Sequence, residues 1–262
     1  MNRQKILSKF SNSHRSLPPF MGWLPFMAMY WGYEILTALT PALFSRIDGT
    51  TLIAWEKVYC FGTIPAAYIY WHRLRFRPLD DIMLAVYISH PLNLLVAGLL
   101  ISKFQPKEFD RYWKTNLAVC FTSLAIHALW PTAPPWWGAE TRYFRLEPGR
   151  MWGYWGVLYE EIVGWVMLAP LLKPYFGPYV TYYGDPFAAF PSLHAALAVL
   201  SSTFTWKLTR RTLYRLVILS YISLVFASTV WTGNHFVVDL IAGTVIAILW
   251  QAKFEGRIKN VL

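Results

Sequence analysis

The sequence predicts an all-α membrane protein, a bundle of six transmembrane helices with additional interfacial helices. Hydrophobic residues make up 56% of the 262-residue chain and charged residues only 15%. The chain also contains 14 Trp and 16 Tyr, an aromatic content typical of proteins that lie in the lipid interface. This composition excludes an ordinary soluble domain. Because no shift in composition marks a second unit, residues 1–262 are predicted to form a single integral membrane domain.

Six segments are apolar enough to cross about 30 Å of hydrocarbon, a distance that takes about 20 helical residues. They run over 20–44, 82–102, 113–130, 192–206, 213–231 and 236–252. Two further apolar stretches, 53–71 and 152–170, are interrupted by acidic residues. Each is open to interpretation as a span or as a helix on the membrane surface, and we favour the surface for 53–71.

Loop charge predicts the orientation, because Lys and Arg accumulate on the cytoplasmic side of membrane proteins. With six spans, the basic N-terminal tail, the loops at 103–114 and 207–215 and the basic C-terminal tail share one side. We therefore expect both termini in the cytoplasm of a cell whose plasma membrane holds the protein. The net charge of +10 then faces anionic lipid, and no basic face indicates nucleic-acid binding. The N-terminal tail lacks the features of a signal peptide.

Two histidines and an aspartate carry the predicted chemistry, since ionisable groups inside membrane segments mark function by default. His235 and Asp239 are four residues apart and share one face of the helix that begins there. Asp239 can then accept a hydrogen bond from one imidazole nitrogen and leave the other with an outward lone pair. Pro191 suits the first position of a helix, which predicts that His194 lies in an opening turn.

Six spans place His194 and His235 at the same membrane face, the extracytoplasmic one. Each lies near a helix start, where unpaired backbone N–H groups favour an anion. Together these features predict a phosphate site at headgroup depth. A pair of haem ligands is the alternative, but haem ligands lie on facing helices and need no partner aspartate. The remaining membrane histidines are interpreted as packing residues: His72, His90 and His127.

The connection over 131–191 is about 60 residues long, and loops of that length are commonly functional. It is rich in Trp and Arg, which suits the lipid headgroup zone. The substrate-binding candidates are Ser192, Asn234, Arg142, Arg145, Arg150 and Trp136. Ser192 has a second interpretation as a helix cap, and headgroup anchoring is the alternative for the three arginines. No cofactor is expected, and no clustered carboxylates of the kind that hold magnesium are found. Cys60 and Cys120 are interpreted as small apolar residues.

Three segments carry a family resemblance. The segments 188–194 and 228–243 resemble the second and third motifs of the type 2 phosphatidic acid phosphatase superfamily, and 130–137 resembles the region of the first. Within that superfamily the chain looks like the branch of inositol phosphorylceramide synthases, the aureobasidin-resistance type, and their prokaryotic relatives. Two motif arginines are replaced: Pro134-Pro135-Trp136 stands in place of Arg-Pro, and Thr229 follows Ser228.

The resemblance implies that the catalytic residues are His194, His235 and Asp239, within 130–243. His235 attacks phosphorus and forms a phosphohistidine, Asp239 orients it, and His194 protonates the departing oxygen. The substrate is then a membrane lipid with a phosphate or diphosphate; water as acceptor gives a phosphatase, and an alcohol gives a headgroup transferase. The alternative is a non-enzymatic membrane protein, either a lipid or phosphate transporter or a catalytically inactive relative. The two replaced motif arginines are the best argument for it.

Overall fold

The computed structural model describes residues 47–72, 77–135 and 188–257, together with the isolated positions Ala28 and Gly32. Within these residues the chain is helical and has no β-strand, which confirms the all-α fold class. The described helices are α1 (Thr51–Tyr59), α2 (Pro65–His72), α3 (Arg77–Ile88), α4 (His90–Phe104), α5 (Pro106–Leu129), α6 (Leu193–Trp206), α7 (Thr212–Trp231) and α8 (Val237–Phe254).

Among the described helices, α7 and α8 are long and apolar enough to cross a membrane, and the bent pair α3 and α4 adds a third if it forms one span. Both α7 and α8 match the predicted segments 213–231 and 236–252 to within two residues. These helices fit an integral membrane protein. The six-helix bundle remains a prediction, because α6 has only 14 residues, α5 is not among the helices that qualify as spans, and 20–44 lies almost wholly outside the described residues. The further stretch 152–170 also lies outside them.

The predicted segment 82–102 is not one helix. Its halves, α3 and α4, meet at Ser89, and their axes differ by 52°. Pro91 accounts for the break, because it lies at the start of α4 and has no backbone N–H with which to continue the helix of α3. The Ser89 hydroxyl donates to the Val86 carbonyl at 2.6 Å and lies 3.1 Å from the Tyr221 hydroxyl. The break is thereby fixed against α7.

The segment 53–71 is also divided. Helix α1 has nine residues and α2 has eight, and Phe61 and Gly62 between them adopt positive φ angles of 53° and 83°. Left-handed backbone of this kind ends a helix, and glycine adopts it at no steric cost. Neither helix alone has the length of a transmembrane span.

Helix α6 is the centre of the described bundle and contacts α4, α5, α7 and α8. Its buried small residues allow these helices to approach closely: Ala195, Ala196, Ala198, Ser201 and Ser202. The closest approach is between Gly243 of α8 and the residue before α6, where an added Cβ would overlap the Ser192 carbonyl oxygen.

Helices α4 and α6 run parallel. At their N-terminal ends the His90 and His194 rings are in contact, with centroids 4.1 Å apart. At their C-terminal ends the Gln105 side-chain amide donates to the Lys207 carbonyl at 3.4 Å.

Helix α8 runs in the same direction. The Ser192 amide donates to the Asp239 carbonyl at 3.0 Å near the start of both helices, and Lys207 pairs with Glu255 beyond their ends. We call the first level the histidine end and the second the basic end. The 14 residues of α6 separate the two levels by about 20 Å.

Candidate active site

His235 lies in the turn before α8 rather than in the helix itself. Gly233, with a φ of 74°, bends the chain there, and the amides of Asn234 and His235 both donate to the Thr229 carbonyl. The imidazole is 5% exposed, and its Nδ1 atom lies 2.9 Å from the Ala189 carbonyl oxygen. Because a carbonyl can only accept, Nδ1 carries the proton. The Nε2 atom of neutral His235 therefore holds the lone pair.

That lone pair faces the second histidine. Nε2 of His235 lies 3.4 Å from Nδ1 of His194, and the ring centroids are 5.4 Å apart in a T-shaped arrangement. Since Nε2 of His235 accepts, Nδ1 of His194 donates. The structure thus brings together the two histidines that the sequence singles out. A phosphoryl group bonding to His235 has to displace this contact, because 3.4 Å leaves no room for it between the two nitrogens.

His194 lies in the first turn of α6, as predicted. Its helix begins at Leu193 with Ser192 as the N-cap, so Pro191 lies two residues before the first helical position, where the sequence predicts it. The imidazole packs on the Tyr87 ring and against His90. Its Nε2 atom is buried and has no hydrogen-bond partner among the described residues. One nitrogen of His194 thus faces His235, and no described residue bonds to the other.

Asp239 is fully buried, and its role differs from the expected one in one respect. Its Oδ2 atom accepts from the Phe236 amide at 2.8 Å and lies 3.5 Å from Nδ1 of His235. The imidazole proton is directed instead at the nearer Ala189 carbonyl. Asp239 therefore closes the first turn of α8 and places a carboxylate beside the imidazole.

Glu56 of α1 is a residue of this region that the sequence interpretation missed. Its carboxylate is fully buried and accepts from the amides of Val237 and Val238 at 2.9 and 3.1 Å. Burial raises the pKa of Glu56, an effect that the two amide bonds oppose and the charge of Asp239 strengthens. Because the first amides of α8 are occupied by carboxylates, the expectation that this helix start binds an anion directly is wrong. The sign of this role in the sequence is that Glu56 places a carboxylate within the apolar stretch 53–71.

The predicted substrate-binding residues are only partly described. The Ser192 hydroxyl is buried and accepts from the Ala195 amide at 3.3 Å, so it caps α6. The Asn234 side chain donates to the Thr232 hydroxyl at 3.0 Å. Four candidates lie outside the described residues: Trp136, Arg142, Arg145 and Arg150.

The other membrane histidines fall into two groups. His127 donates to the Pro191 carbonyl at 3.1 Å and His72 to the Tyr68 carbonyl at 2.9 Å, as packing residues do. His90 instead contacts the ring of His194. It therefore lies at the candidate site, a position that no spacing in the sequence indicates.

The segment before Pro135 joins the second motif through extended backbone. Thr132 forms parallel bridges with Asp48 and with Ala188, and its hydroxyl accepts from the Phe190 amide at 2.9 Å. These contacts hold the chain segments around Asp48, Thr132 and Ala188 side by side, next to the Ala189 carbonyl that accepts from His235.

Comparison with protein-family profiles matches residues 50–252 to the PAP2 superfamily. The chain belongs to the PAP2 superfamily. Members of this superfamily are typically phosphatases that act on phosphate esters, so the match indicates activity of that type. No curated protein and no solved structure gave a significant match.

In a PAP2 protein, some cation has to take the place of the two replaced motif arginines. Within the described residues, the polar and ring contacts of His194 and His235 are made with other rings, Asp239 and the Ala189 carbonyl, and none with Lys or Arg. The motif position held by Thr229 contributes a backbone carbonyl to the turn that carries His235. Among these residues no group of His, Cys, Asp or Glu is arranged to hold a metal ion.

Proposed function

We propose that this protein is a membrane phosphatase or phosphotransferase that acts on a lipid-linked phosphate or diphosphate through a phosphohistidine on His235. One observation carries the proposal. The Ala189 carbonyl fixes the Nδ1 proton of His235, and the Nε2 lone pair then faces a proton-bearing His194. A nucleophile and an acid in hydrogen-bond reach of each other are the parts that a double displacement needs.

The reaction has two steps. In the first, Nε2 of His235 bonds to phosphorus and the bond from phosphorus to the lipid oxygen breaks. His194, doubly protonated beside the bound phosphate, gives that oxygen its Nδ1 proton and becomes a neutral imidazole. In the second, water or an alcohol attacks the phosphohistidine, His194 takes the proton of the acceptor, and the phosphorus–nitrogen bond breaks. Asp239 stabilises the positive charge that His235 gains in the first step, because its carboxylate lies 3.5 Å from Nδ1.

Phosphoryl transfer depends mainly on positioning and on charge neutralisation. We propose that the phosphate is held by arginines of the 131–191 connection, with Arg142, Arg145 and Arg150 as candidates and Trp136 beside the headgroup. Arginine suits the task because its guanidinium binds phosphate in bidentate fashion.

The proposed setting is a plasma membrane, with a six-helix bundle, cytoplasmic termini and a site that faces outward and opens to the bilayer. The distribution of charge supports it, since Lys and Arg collect at the basic end: Lys103, Lys107, Arg111, Lys207, Arg211, Lys253 and Arg257. Basic residues at one end of a bundle indicate its cytoplasmic side.

Release of phosphate from a lipid phosphate in detergent tests the enzymatic proposal. The parent, His235→Ala and the control His72→Ala are compared, since His72 is exposed and bonds within its own helix. We expect activity in the parent and in His72→Ala and its loss in His235→Ala. Equal activity in the parent and His235→Ala contradicts the mechanism, and an inactive parent favours a transporter or an inactive relative.

The resemblance to the inositol phosphorylceramide synthase branch supports transfer, whereas the constant availability of water as an acceptor supports hydrolysis. Labelled lipid phosphate is supplied with and without a polyol acceptor such as inositol. Transfer predicts a labelled acceptor and less free phosphate. An unchanged rate of phosphate release in both reactions leaves hydrolysis as the function.

A further inference from the structure

The start of α8 is attached to a helix outside the three motif segments. Glu56 of α1 accepts from the Val237 and Val238 amides through its two oxygens, at 2.9 and 3.1 Å. The side chain is fully buried, and these amides lie two and three residues after His235 in the sequence. The short helix α1 is therefore hydrogen-bonded to the first turn of α8, the helix that follows His235.

The start of α1 is linked to the same imidazole through a second chain of contacts. Asp48 accepts from the Thr50 and Thr51 amides at the start of α1, at 3.0 and 2.9 Å. Its backbone pairs with Thr132, and the Thr132 carbonyl accepts from the Ala189 amide. Ala189 in turn accepts the Nδ1 proton of His235.

These contacts form a closed circuit around the nucleophile. From His235 it runs through the Ala189 carbonyl to Thr132, then to Asp48, along α1 to Glu56, and back through the first turn of α8. The imidazole is held at Nδ1 through one branch of the circuit, and the backbone that follows it is held through the other, so its lone pair keeps one direction. Helix α1 is thus placed to fix the direction of the Nε2 lone pair of His235, although it contains no residue of the three motif segments.

We infer that Glu56 is a positioning residue for His235. This inference rests on the proposed function. The carboxylate is required because two N–H groups point at one side chain and only a carboxylate offers each of them an oxygen. In Glu56→Gln one amide loses its acceptor or faces the NH₂ group, so the first turn of α8 shifts and Nε2 loses its direction.

Glu255 supplies a matched control at the opposite end of α8. Its side chain is 8% exposed and is paired with Lys207 and Arg257. Glu255→Gln therefore removes a largely buried carboxylate from the same helix without touching the histidine end. The parent, Glu56→Gln and Glu255→Gln are purified in detergent and compared in kcat, KM and thermal unfolding.

We expect kcat per folded molecule to fall about 10-fold or more in Glu56→Gln, with KM within about 3-fold of the parent, because chemistry rather than binding is disturbed. In Glu255→Gln kcat should stay within about 2-fold even where unfolding occurs at a lower temperature. An unchanged kcat in Glu56→Gln overturns the inference, and so does an equal loss in both variants. If Glu56→Gln does not fold, Asp48→Asn, which loosens the other end of α1, is expected to show the same split.

A second readout separates this inference from the proposed function. In ¹⁵N-histidine NMR spectra, the Nδ1–H state of His235 should be altered in Glu56→Gln and retained in Glu255→Gln, whether or not the protein is active. An inactive parent overturns the proposed function alone, whereas an unaltered His235 signal in Glu56→Gln overturns the positioning role.

Discussion

Tyr87 stacks face to face on His194, with ring centroids 4.2 Å apart and ring planes at 19°. Tyr87 lies one residue before the end of α3, at the break before Pro91. A flat aromatic surface against an imidazole limits its rotation. On the proposed function His194 releases its contact with His235 when phosphate binds, and the stack then limits where the ring can move.

The first prediction concerns this stack. Tyr87→Ala should lower kcat/KM by about 3- to 10-fold, since a stacked pair contributes about 0.5–1.5 kcal/mol. Tyr87→Phe keeps the ring and should stay within about 2-fold of the parent. Steady-state kinetics on a lipid phosphate measure both. An equal loss in the two variants would show that the hydroxyl, and not the stacked ring, is what matters.

The second prediction concerns the acid. His194→Ala should slow a lipid phosphate with an alkyl leaving group by about 10²–10⁴-fold, the usual contribution of a general acid. A nitrophenyl phosphate ester needs little protonation of its leaving group, so the first step should slow much less. Burst kinetics on the two substrates give the comparison. A similar loss on both would assign His194 to another role.

The third prediction concerns the crossing of α6 and α8. Gly243→Ala should destabilise the protein by about 1–3 kcal/mol, because its Cβ overlaps the Ser192 carbonyl oxygen and the helices must separate. Gly49→Ala is the control, since its Cβ would meet only the Ala133 methyl group at 3.9 Å. Thermal unfolding in detergent measures both changes. Equal unfolding temperatures for Gly243→Ala and the parent would contradict the close packing.

The fourth prediction concerns pH and stability. Burial would raise the pKa of Asp48, but hydrogen bonds from Thr51, Thr50 and Trp130 outweigh it and lower the pKa from 3.8 to about 2. A carboxyl with a lowered pKa stabilises the folded protein above its unfolded pKa and loses that contribution as pH falls through the folded one.

Asp48→Asn should therefore be less stable than the parent at neutral pH, and the difference should shrink between about pH 4 and pH 2. Unfolding midpoints across that range measure it. Asp110→Asn is the control, because the Asp110 side chain is 64% exposed and pairs only with nearby groups of its own helix. A difference for Asp48→Asn that does not vary with pH would contradict the role of its charge.

The sequence predicts those features that depend on local spacing. The position of His194 in the first turn of its helix follows from local helix signals, and α7 and α8 follow from uninterrupted apolar length. The spacing also predicts that His235 lies near Asp239, although His235 precedes α8 and shares no helical face with it. The break at Ser89 is harder to predict, because the composition of 82–102 is that of a continuous span and only Pro91 marks the interruption.

Tertiary contacts account for what the sequence does not predict. Glu56 lies 181 residues before Val237, and no periodicity links the two. The same holds for the Ala189 carbonyl, which takes the imidazole proton that the sequence assigns to Asp239. In both cases a carboxylate or a carbonyl accepts from a donor that lies near it only in the folded chain.

The parallel arrangement of α4, α6 and α8 has an electrostatic consequence. Their peptide dipoles add, and each helix places about half a positive charge at the histidine end. The negative ends meet Lys103, Lys207 and Lys253 at the other side of the bundle. This positive potential partly offsets the negative charge of Glu56 and Asp239 at the same end, so on the proposed function the backbone of the bundle reduces their repulsion of a phosphate.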